Sequence, residues 1–280
     1  TKDFDLGTLI GQNNLNALTL SSEIKGKGTT IKTLNASFEG LIYTIRYNGY
    51  TYKNIKLDGK IDDKLFEGLL VSKDPNADFD FNGTIDFKNK VPEMDFISTI
   101  NNLNLSELKL LSNKDSGNLS SQVFININGD NLDNLSGQIN FDNTIFKTKT
   151  KVFNLSSFNI EMDQGGANKK IKLTSAYLNA GISGTYQLSN LSPAFGALLY
   201  NYYPTFFKKP ASTKKYTDSL VFKMRVKKFN AINELFLPDV MLSPETVVEG
   251  NFDAEHNKLN LQANSSKVNY QSFSIKDFGM

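Results

Sequence analysis

The sequence has no cysteine, no tryptophan and a single histidine among its 280 residues. Without thiols and with one imidazole, the chain cannot assemble a cysteine-rich or multi-histidine zinc, copper or haem site, and it has no cysteine nucleophile. The absence of disulfides leaves the compartment open, because a protein without cysteine survives equally in a reducing cytosol and in an oxidising periplasm.

An excess of charge of one sign is also missing. The chain carries 31 Lys and Arg against 29 Asp and Glu, a formal net charge of +2, so it lacks the basic field expected of a nucleic-acid binder. No apolar run approaches the ~18 residues of a membrane span, and no charged-then-apolar leader opens the sequence. We therefore expect a soluble piece of a longer protein, because the strand pattern still runs at the last residues.

Alternation of apolar and polar residues with period two is the dominant pattern of the sequence. Apolar residues alternate with charged or amide residues along most of the chain, as in the segment from Phe79 to Phe87, which is typical of strands with one buried face. Glycine-containing pairs between such runs, Asn48-Gly49, Asp58-Gly59, Asn82-Gly83 and Asn128-Gly129, are predicted to be turns. Roughly one residue in eight is Asn, which favours turns over helix interiors. The sequence therefore predicts an all-β, mostly antiparallel fold.

Three segments depart from the alternation. Leucines spaced through residues 103–111 predict a short helix, and residues 230–236 a helical turn. Ser192-Pro193 is a favourable helix opening, with a hydroxyl cap and proline at the first helical position, and Pro204 should end or kink that helix. Residues 208–219 are predicted to be a loop. We expect one or two short amphipathic helices and this organisation: a β segment over 1–190, the helix and polar loop over 191–219, and a β continuation over 220–280.

Candidate catalytic and metal-binding patterns are weak. Residues 78–83 match the first half of a calcium loop, but the twelfth position is Asn89 where a bidentate Glu belongs. We interpret the segment as a strand that ends in an Asn-Gly turn. His256 stands beside acidic residues in a polar connection without a serine elbow or a second histidine, and is interpreted as a solvated turn residue. No catalytic residue, metal site or cofactor is assigned, and we expect no enzymatic activity.

The apolar strand faces remain open to two interpretations. They can form the core of an ordinary sandwich, or line a groove on one long curved sheet that binds apolar ligands. The strands follow one another with little material to cover them, and the one convincing helix is short, which favours the groove. A β-bulge would reverse the inward set beyond it. The predicted groove residues are Phe79, Phe81, Ile85, Phe87, Ile125, Ile127, Ile139, Phe141, Ile160, Ile171, Leu173 and Met224.

Several phrases carry a resemblance to a known family. The phrases at Leu135–Phe141, Gly59–Gly68 and Ile182–Tyr186 resemble the repeats of the AsmA-like and TamB-like envelope proteins. The segments Leu191–Lys209 and Asn230–Pro238 resemble the version found in Bacteroidota. The resemblance covers most of the chain and depends on the overall pattern of the sequence more than on an invariant motif.

The resemblance implies a taco-shaped β-sheet with a hydrophobic interior, in a periplasm-spanning protein anchored in the inner membrane of a Gram-negative envelope. It further implies phospholipid transport toward the outer membrane, and an outer-membrane barrel partner of the TamA-like or BamA-like type. We therefore expect a non-enzymatic conduit for phospholipid acyl chains. The alternative is a scaffold that assists outer-membrane β-barrel assembly by strand augmentation. A third interpretation is a secreted adhesin or β-solenoid with a closed, dry core.

Overall fold

A computed structural model gives an antiparallel all-β fold with one α-helix among the residues that it describes, which confirms the predicted fold class. The described residues are 2–5, 15–28, 35–110, 117–210, 214–228, 240–270 and 273–279. The chain divides into two units. Unit 1 comprises Thr1–Ile127 and Ile139–Ser157, and unit 2 comprises Asn128–Gln138 and Phe158–Met280.

Unit 1 is a meander in which each strand from β2 to β7 pairs antiparallel with the next one along the chain. The short β1 pairs with β2. β8, β9 and β10 each have one end in unit 1 and the other in unit 2. The strands are β1 (Phe4–Asp5), β2 (Leu15–Lys27), β3 (Asn35–Tyr47), β4 (Tyr50–Asp62), β5 (Leu65–Asp74), β6 (Ala77–Asp86), β7 (Glu93–Asn104), β8 (Asn118–Asn128), β9 (Ser136–Lys147) and β10 (Val152–Asp163).

Unit 2 continues the antiparallel pattern and adds the helix. Its further elements are β11 (Lys169–Ser175), β12 (Leu178–Thr185), α1 (Leu188–Tyr202), β13 (Ser219–Val226), β14 (Val240–Leu242), β15 (Val247–Asp253), β16 (Lys258–Tyr270) and β17 (Phe273–Gly279). β10 pairs with β11, β11 with β12, β12 with β13, β13 with β15, β15 with β16, and β16 with β17. The long β16 also pairs with β14.

The helix starts earlier than predicted. α1 begins at Leu188, so Pro193 lies inside it and Ser192 is not its cap. Gln187 makes no side-chain cap bond of its own, and two distant carboxylates serve the first turn instead. Asp218 accepts the Gln187 N–H at 2.7 Å, and Asp133 accepts the Ser189 N–H at 3.1 Å and its hydroxyl at 2.6 Å. Negative charge at a helix N-terminus is stabilising, so tertiary contacts set the start.

Other local predictions have mixed outcomes. Residues 105–109 form a turn after β7 where a helix was predicted, and Asn104 accepts the Glu107 N–H as an isolated cap. The Asn48-Gly49 turn between β3 and β4 and the irregular connection before β13 are as predicted, over the residues described. The helical turn predicted for 230–236 lies outside the described residues.

Two predicted turns are wrong because their glycines lie inside strands. Gly59 is in the middle of β4 and Gly83 in the middle of β6, and both face Gly68 of β5 in register. Aromatic rings cover this row. A Cβ on Gly59 would lie 3.0 Å from the Phe38 ring, and one on Gly83 would lie 2.6 Å from the ring of Phe96. Glycine in a strand often marks such a close approach.

We predict that Gly83→Ala destabilises the protein, because its Cβ would overlap the Asp95 carbonyl oxygen and press on the Phe96 ring. Overpacking of this kind costs about 1–3 kcal/mol. The matched strand control is Gly181→Ala, whose Cβ would lie 3.5 Å from the nearest atom, the Ile171 carbonyl oxygen. Urea unfolding should give a lower midpoint for Gly83→Ala alone, and equal midpoints for the two variants would contradict the prediction.

Candidate functional site

Unit 1 carries apolar side chains on one face of β2 to β7. Directly opposed residues of antiparallel strands point to the same face, so the register defines the surface. We call it the unit 1 apolar face. Its four cross-strand rows are Leu20, Ile42, Ile55, Ser72, Phe79 and Ile100; then Ser22, Gly40, Leu57, Leu70, Phe81 and Ser98; then Ile24, Phe38, Gly59, Gly68, Gly83 and Phe96; then Gly26, Ala36, Ile61, Phe66, Ile85 and Met94.

Aromatic rings concentrate around the glycine row of this face. Phe38 and Phe66 stack with their ring centroids 6.0 Å apart, and the Phe81 and Phe96 centroids are 4.1 Å apart. The Phe96 side chain is buried, whereas the other three are half-buried. Unit 1 has no helix among its described residues to cover them. The surface is therefore a smooth, aromatic-rich sheet face.

The predicted groove residues of β6 lie together on the unit 1 apolar face. Phe79, Phe81 and Ile85 occupy three of its four rows and are all half-buried. Phe87 follows the end of β6, and its side chain is exposed. Its N–H donates to the Lys64 carbonyl oxygen at 3.0 Å, next to the last pair of β5 and β6.

Four further predicted residues lie on the next two strands. Ile125 and Ile127 are in β8, and Ile139 and Phe141 are in β9. All four side chains are half-buried. In the same strands, Ser121 and Thr144 are buried and share a hydroxyl hydrogen bond of 2.9 Å.

β-Bulges keep the apolar residues on one side where the sequence alternation changes phase. In β3, Ile42 faces Leu20 while Ile45 faces Leu18, so Tyr43 is an extra residue. An extra residue in one strand shifts its side-chain phase by one. Because Leu18 and Leu20 share a face, Ile42 and Ile45 share it too.

A bulge of the same kind occurs in β7. Ile100 faces Phe79 and Leu103 faces Ala77, with Asn101 as the extra residue. The Asn101 amide donates to Asp78 at 3.0 Å, which ties the bulged residue across the strands. Non-glycine residues with φ between 50° and 56° interrupt three further strands at the point where apolar alternation changes phase: Asn54, Asn143 and Ser156.

Unit 2 has an equivalent surface, here called the unit 2 apolar face, on β10 to β16. Four predicted groove residues, Ile160, Ile171, Leu173 and Met224, lie on it and are half-buried. Its cross-strand rows are Ile160, Leu173, Ala180, Met224, Val248 and Ala263; then Met162, Ile171, Ile182, Phe222, Gly250 and Leu261; then Gly184, Leu220, Phe252 and Leu259.

The helix covers one end of the unit 2 apolar face. Ala194 and Leu198 of α1 are buried in a core with Leu220 and Phe252, which belong to the third row. The rings of Phe195 and Phe252 contact edge to face with centroids 5.9 Å apart. Ile182 and Phe222 of the second row pack against this core, whereas no residue of the first row belongs to it, so α1 covers one end of the face only.

A buried polar pair lies beneath the helix. The Gln164 amide donates to the Tyr186 hydroxyl at 3.1 Å and to the Lys170 carbonyl oxygen at 3.1 Å. Burial raises the pKa of Tyr186, and the bond from Gln164 partly opposes that shift. The phenol is therefore neutral at physiological pH, as its place in the core requires.

The opposite sheet face of unit 2 is polar. Lys172 lies 3.3 Å from Glu161, and Lys223 lies 2.5 Å from Glu249, each across a strand pair. Gly181 separates the two lysines on this face. A pocket of about 690 Å³ along β11, β12, β13 and β15 is lined by residues of both faces, among them Ile171, Ile182 and Phe222 of the unit 2 apolar face. Exposed ion pairs of this kind contribute little stability. Their charged groups leave this face hydrated.

The remaining candidates from the sequence are turn or strand residues. His256 is exposed in the turn between β15 and β16, where its Nδ1 lies 2.7 Å from the Asp253 carboxylate. Hydrogen bonds from His256, led by its backbone N–H, hold the pKa of Asp253 below its usual range. Residues 78–83 lie within β6. Within the described ranges, no group of three or more His, Asp or Glu side chains is placed to hold a metal ion.

Sequence reasoning missed the contributions of β3, β5 and β15 to the apolar faces. Phe38, Phe66 and Phe252 all lie there. The signal was present in the sequence, because an aromatic residue stands two positions from a strand glycine at Phe38 and Gly40, at Phe66 and Gly68, and at Gly250 and Phe252. It was not interpreted because glycine was assigned to turns.

Comparisons of this chain with protein-family models, with curated proteins and with solved structures find no match. Among the described helices, none has the length and apolar character needed to cross a membrane.

We predict that Asp133→Ala loosens α1, because it removes both hydrogen bonds to Ser189. Loss of such a cap costs about 0.5–2 kcal/mol. Hydrogen exchange should accelerate in the first turn of the helix and thermal unfolding should begin earlier. The control is Asp130→Ala, whose carboxylate accepts bonds from Asn131 and Asn134 within its own turn.

The same contact has a defined pH dependence. Bonds from Ser189 hold the pKa of Asp133 below its usual range, so the carboxylate stabilises the fold above about pH 4 and this contribution is lost as the pH falls further. The stability difference between the parent and Asp133→Ala should therefore close in acid. Unchanged helix exchange in the variant at neutral pH would mean that Asp133 does not hold α1.

Proposed function

We propose that this chain is a non-enzymatic lipid-conduit segment, in which apolar sheet faces shield phospholipid acyl chains while the head groups stay in water. One observation carries the proposal. In each unit, apolar residues of six neighbouring strands stand in register on one face and stay largely half-buried, while most of the charged and amide residues lie on the other. Extended apolar faces on a soluble chain are typical of binding surfaces.

The lining suits an unbranched hydrocarbon. Each methylene removed from water contributes about 0.8 kcal/mol, without regard to direction. The Ser98 hydroxyl, which lies on the unit 1 apolar face, donates to the Asp80 carbonyl oxygen at 2.6 Å, so this donor is satisfied within the sheet. A nearly uniform lining would hold an acyl chain without trapping it at one position. Movement along it is passive, and direction must come from a gradient or an energised partner.

The resemblance to AsmA-like and TamB-like proteins supports a place for this segment in the cell envelope. On that basis the full-length protein is anchored in the inner membrane and crosses the periplasm. Its partners would be phospholipid and an outer-membrane barrel protein of the TamA-like or BamA-like type. These assignments depend on the overall sequence pattern together with the apolar faces described above.

The test uses adjacent leucines that point to opposite sides of β5. Leu70 is on the unit 1 apolar face opposite Phe81, whereas Leu69 is exposed on the other face opposite Asn82. Because a carboxylate is costly to place against hydrocarbon, Leu70→Asp should reduce co-purified phospholipid strongly and Leu69→Asp should not. Phe222→Asp and Val221→Asp form the same pair in unit 2. Lipid is extracted after purification in mild detergent and quantified by mass spectrometry.

Circular dichroism and thermal unfolding identify variants that have kept the fold, and only these are compared. A parent that carries no phospholipid and stays monodisperse after detergent removal would refute the conduit. Equal lipid content in a folded Leu70→Asp and in Leu69→Asp would also refute it. Strand augmentation would instead make proline substitutions along strand edges more damaging than charges on the apolar faces.

A further inference from the structure

The segment after α1 exposes several aromatic side chains in a short turn. The Phe206 and Phe207 N–H groups donate to the Tyr203 carbonyl oxygen at 3.0 and 3.2 Å, which closes the backbone on itself. Phe206 is 84% exposed, and Phe207, Tyr202 and Tyr203 are exposed as well. We call residues 202–209 the aromatic turn. Such a concentration of exposed aromatic area marks an interaction site.

The aromatic turn is held outward by its base. The Tyr203 N–H donates to the Leu199 carbonyl oxygen at 2.8 Å, and Leu198 is buried in the core beneath α1. The Tyr202 hydroxyl donates to the Asn257 carbonyl oxygen at 2.9 Å, and the Asn201 amide donates to the Asn257 side chain at 3.0 Å. The exposed phenylalanines therefore lie on a segment that is anchored to the rest of unit 2.

Two lysines end the aromatic turn. Residues 188–217 contain four lysines and neither Asp nor Glu, but Lys214 donates to the Asn190 side chain near the start of α1, so the lysines of the turn are Lys208 and Lys209. Lys208 and Lys209 directly follow Phe207 and are exposed. The whole chain has a net charge of only +2, so this exposed lysine pair is a local excess of positive charge along the sequence. Aromatic residues flanked by lysine are typical of segments at the membrane interface.

We propose that the aromatic turn binds the surface of a bilayer that contains anionic phospholipid. Phe206 and Phe207 would enter the boundary of the acyl region, the tyrosines would lie at the level of the head groups, and the lysines would contact phosphate. A second copy of this chain fits less well, because it would bring its own Lys208 and Lys209 against the same two lysines. The inference goes beyond the proposed function, since it concerns docking to a membrane and not the binding of lipid by the sheet faces.

The absence of tryptophan gives a direct test. In Phe206→Trp the full chain has a single tryptophan, which is added to vesicles of phosphatidylcholine with or without phosphatidylglycerol. Its emission should shift to shorter wavelength and be quenched by brominated acyl chains. The effect should be larger with phosphatidylglycerol and should weaken as salt is raised, because salt screens the lysines. Unchanged emission with phosphatidylglycerol vesicles would overturn the proposal.

Vesicle flotation separates the aromatic and electrostatic contributions. The double variant Phe206→Ser, Phe207→Ser should lower partitioning at least about tenfold. Lys208→Gln, Lys209→Gln should lower it about tenfold on anionic vesicles and little on phosphatidylcholine. The matched control is Phe273→Ser, Ile275→Ser, which removes an exposed apolar pair from β17 and should leave partitioning unchanged.

Two results would overturn the docking proposal. One is equal partitioning of the serine variant and the parent. The other is a concentration-dependent dimer of the parent that the serine variant lacks, which would identify a second copy as the occupant. The lipid that co-purifies with the serine variant should match that of the parent, so a failure of membrane docking is distinguishable from a failure of the conduit.

Discussion

Cross-strand register is the constraint on which the rest of this structure depends. A sheet face is apolar only where successive strands present their apolar positions in the same rows, and a slip of one residue reverses every side chain beyond it. Here all four rows of unit 1 and two of the three rows of unit 2 continue through six strands. The glycine row of β4, β5 and β6 makes this possible in unit 1, because Gly59, Gly68 and Gly83 leave room for rings such as those of Phe38 and Phe96.

The bulges are related to the length of the strands. Strands of 12 or 13 residues, such as β3 and β7, are long enough for twist to build up along the pair, and bulges locally increase twist and bend the strand. Each bulge would also turn the apolar positions outward, unless the sequence changes phase at the same point. It does so after Tyr43 and after Asn101. Backbone irregularity and hydrophobic pattern therefore agree, and one face stays apolar on both sides of the bulge.

The fold class was predictable from sequence because period-two alternation is a local signal. The placement of individual glycines was not. Asn48-Gly49 and Asn82-Gly83 look alike locally, yet the first is a turn with Gly49 at a φ of 77°, whereas the second lies within β6, where Gly83 packs beside the Phe96 ring. The start of α1 was also not predictable from local sequence, because its cap comes from Asp133, 56 positions away from Ser189. Most of the predicted groove residues lie in the interior of strands, whereas Phe87 follows the end of β6.

The helix links the two surfaces proposed to meet lipid. Its buried side, through Ala194 and Leu198, closes one end of the unit 2 apolar face, and its last turn supports the exposed aromatic residues. A helix that served only as a plug would need no aromatic residues beyond its last turn, and an isolated membrane anchor would need no buried core. The carboxylates of Asp133 and Asp218 tie its first turn to distant parts of unit 2. The helix is therefore fixed to the sheet at its start and through its buried side, and this gives the aromatic residues beyond its last turn a rigid support.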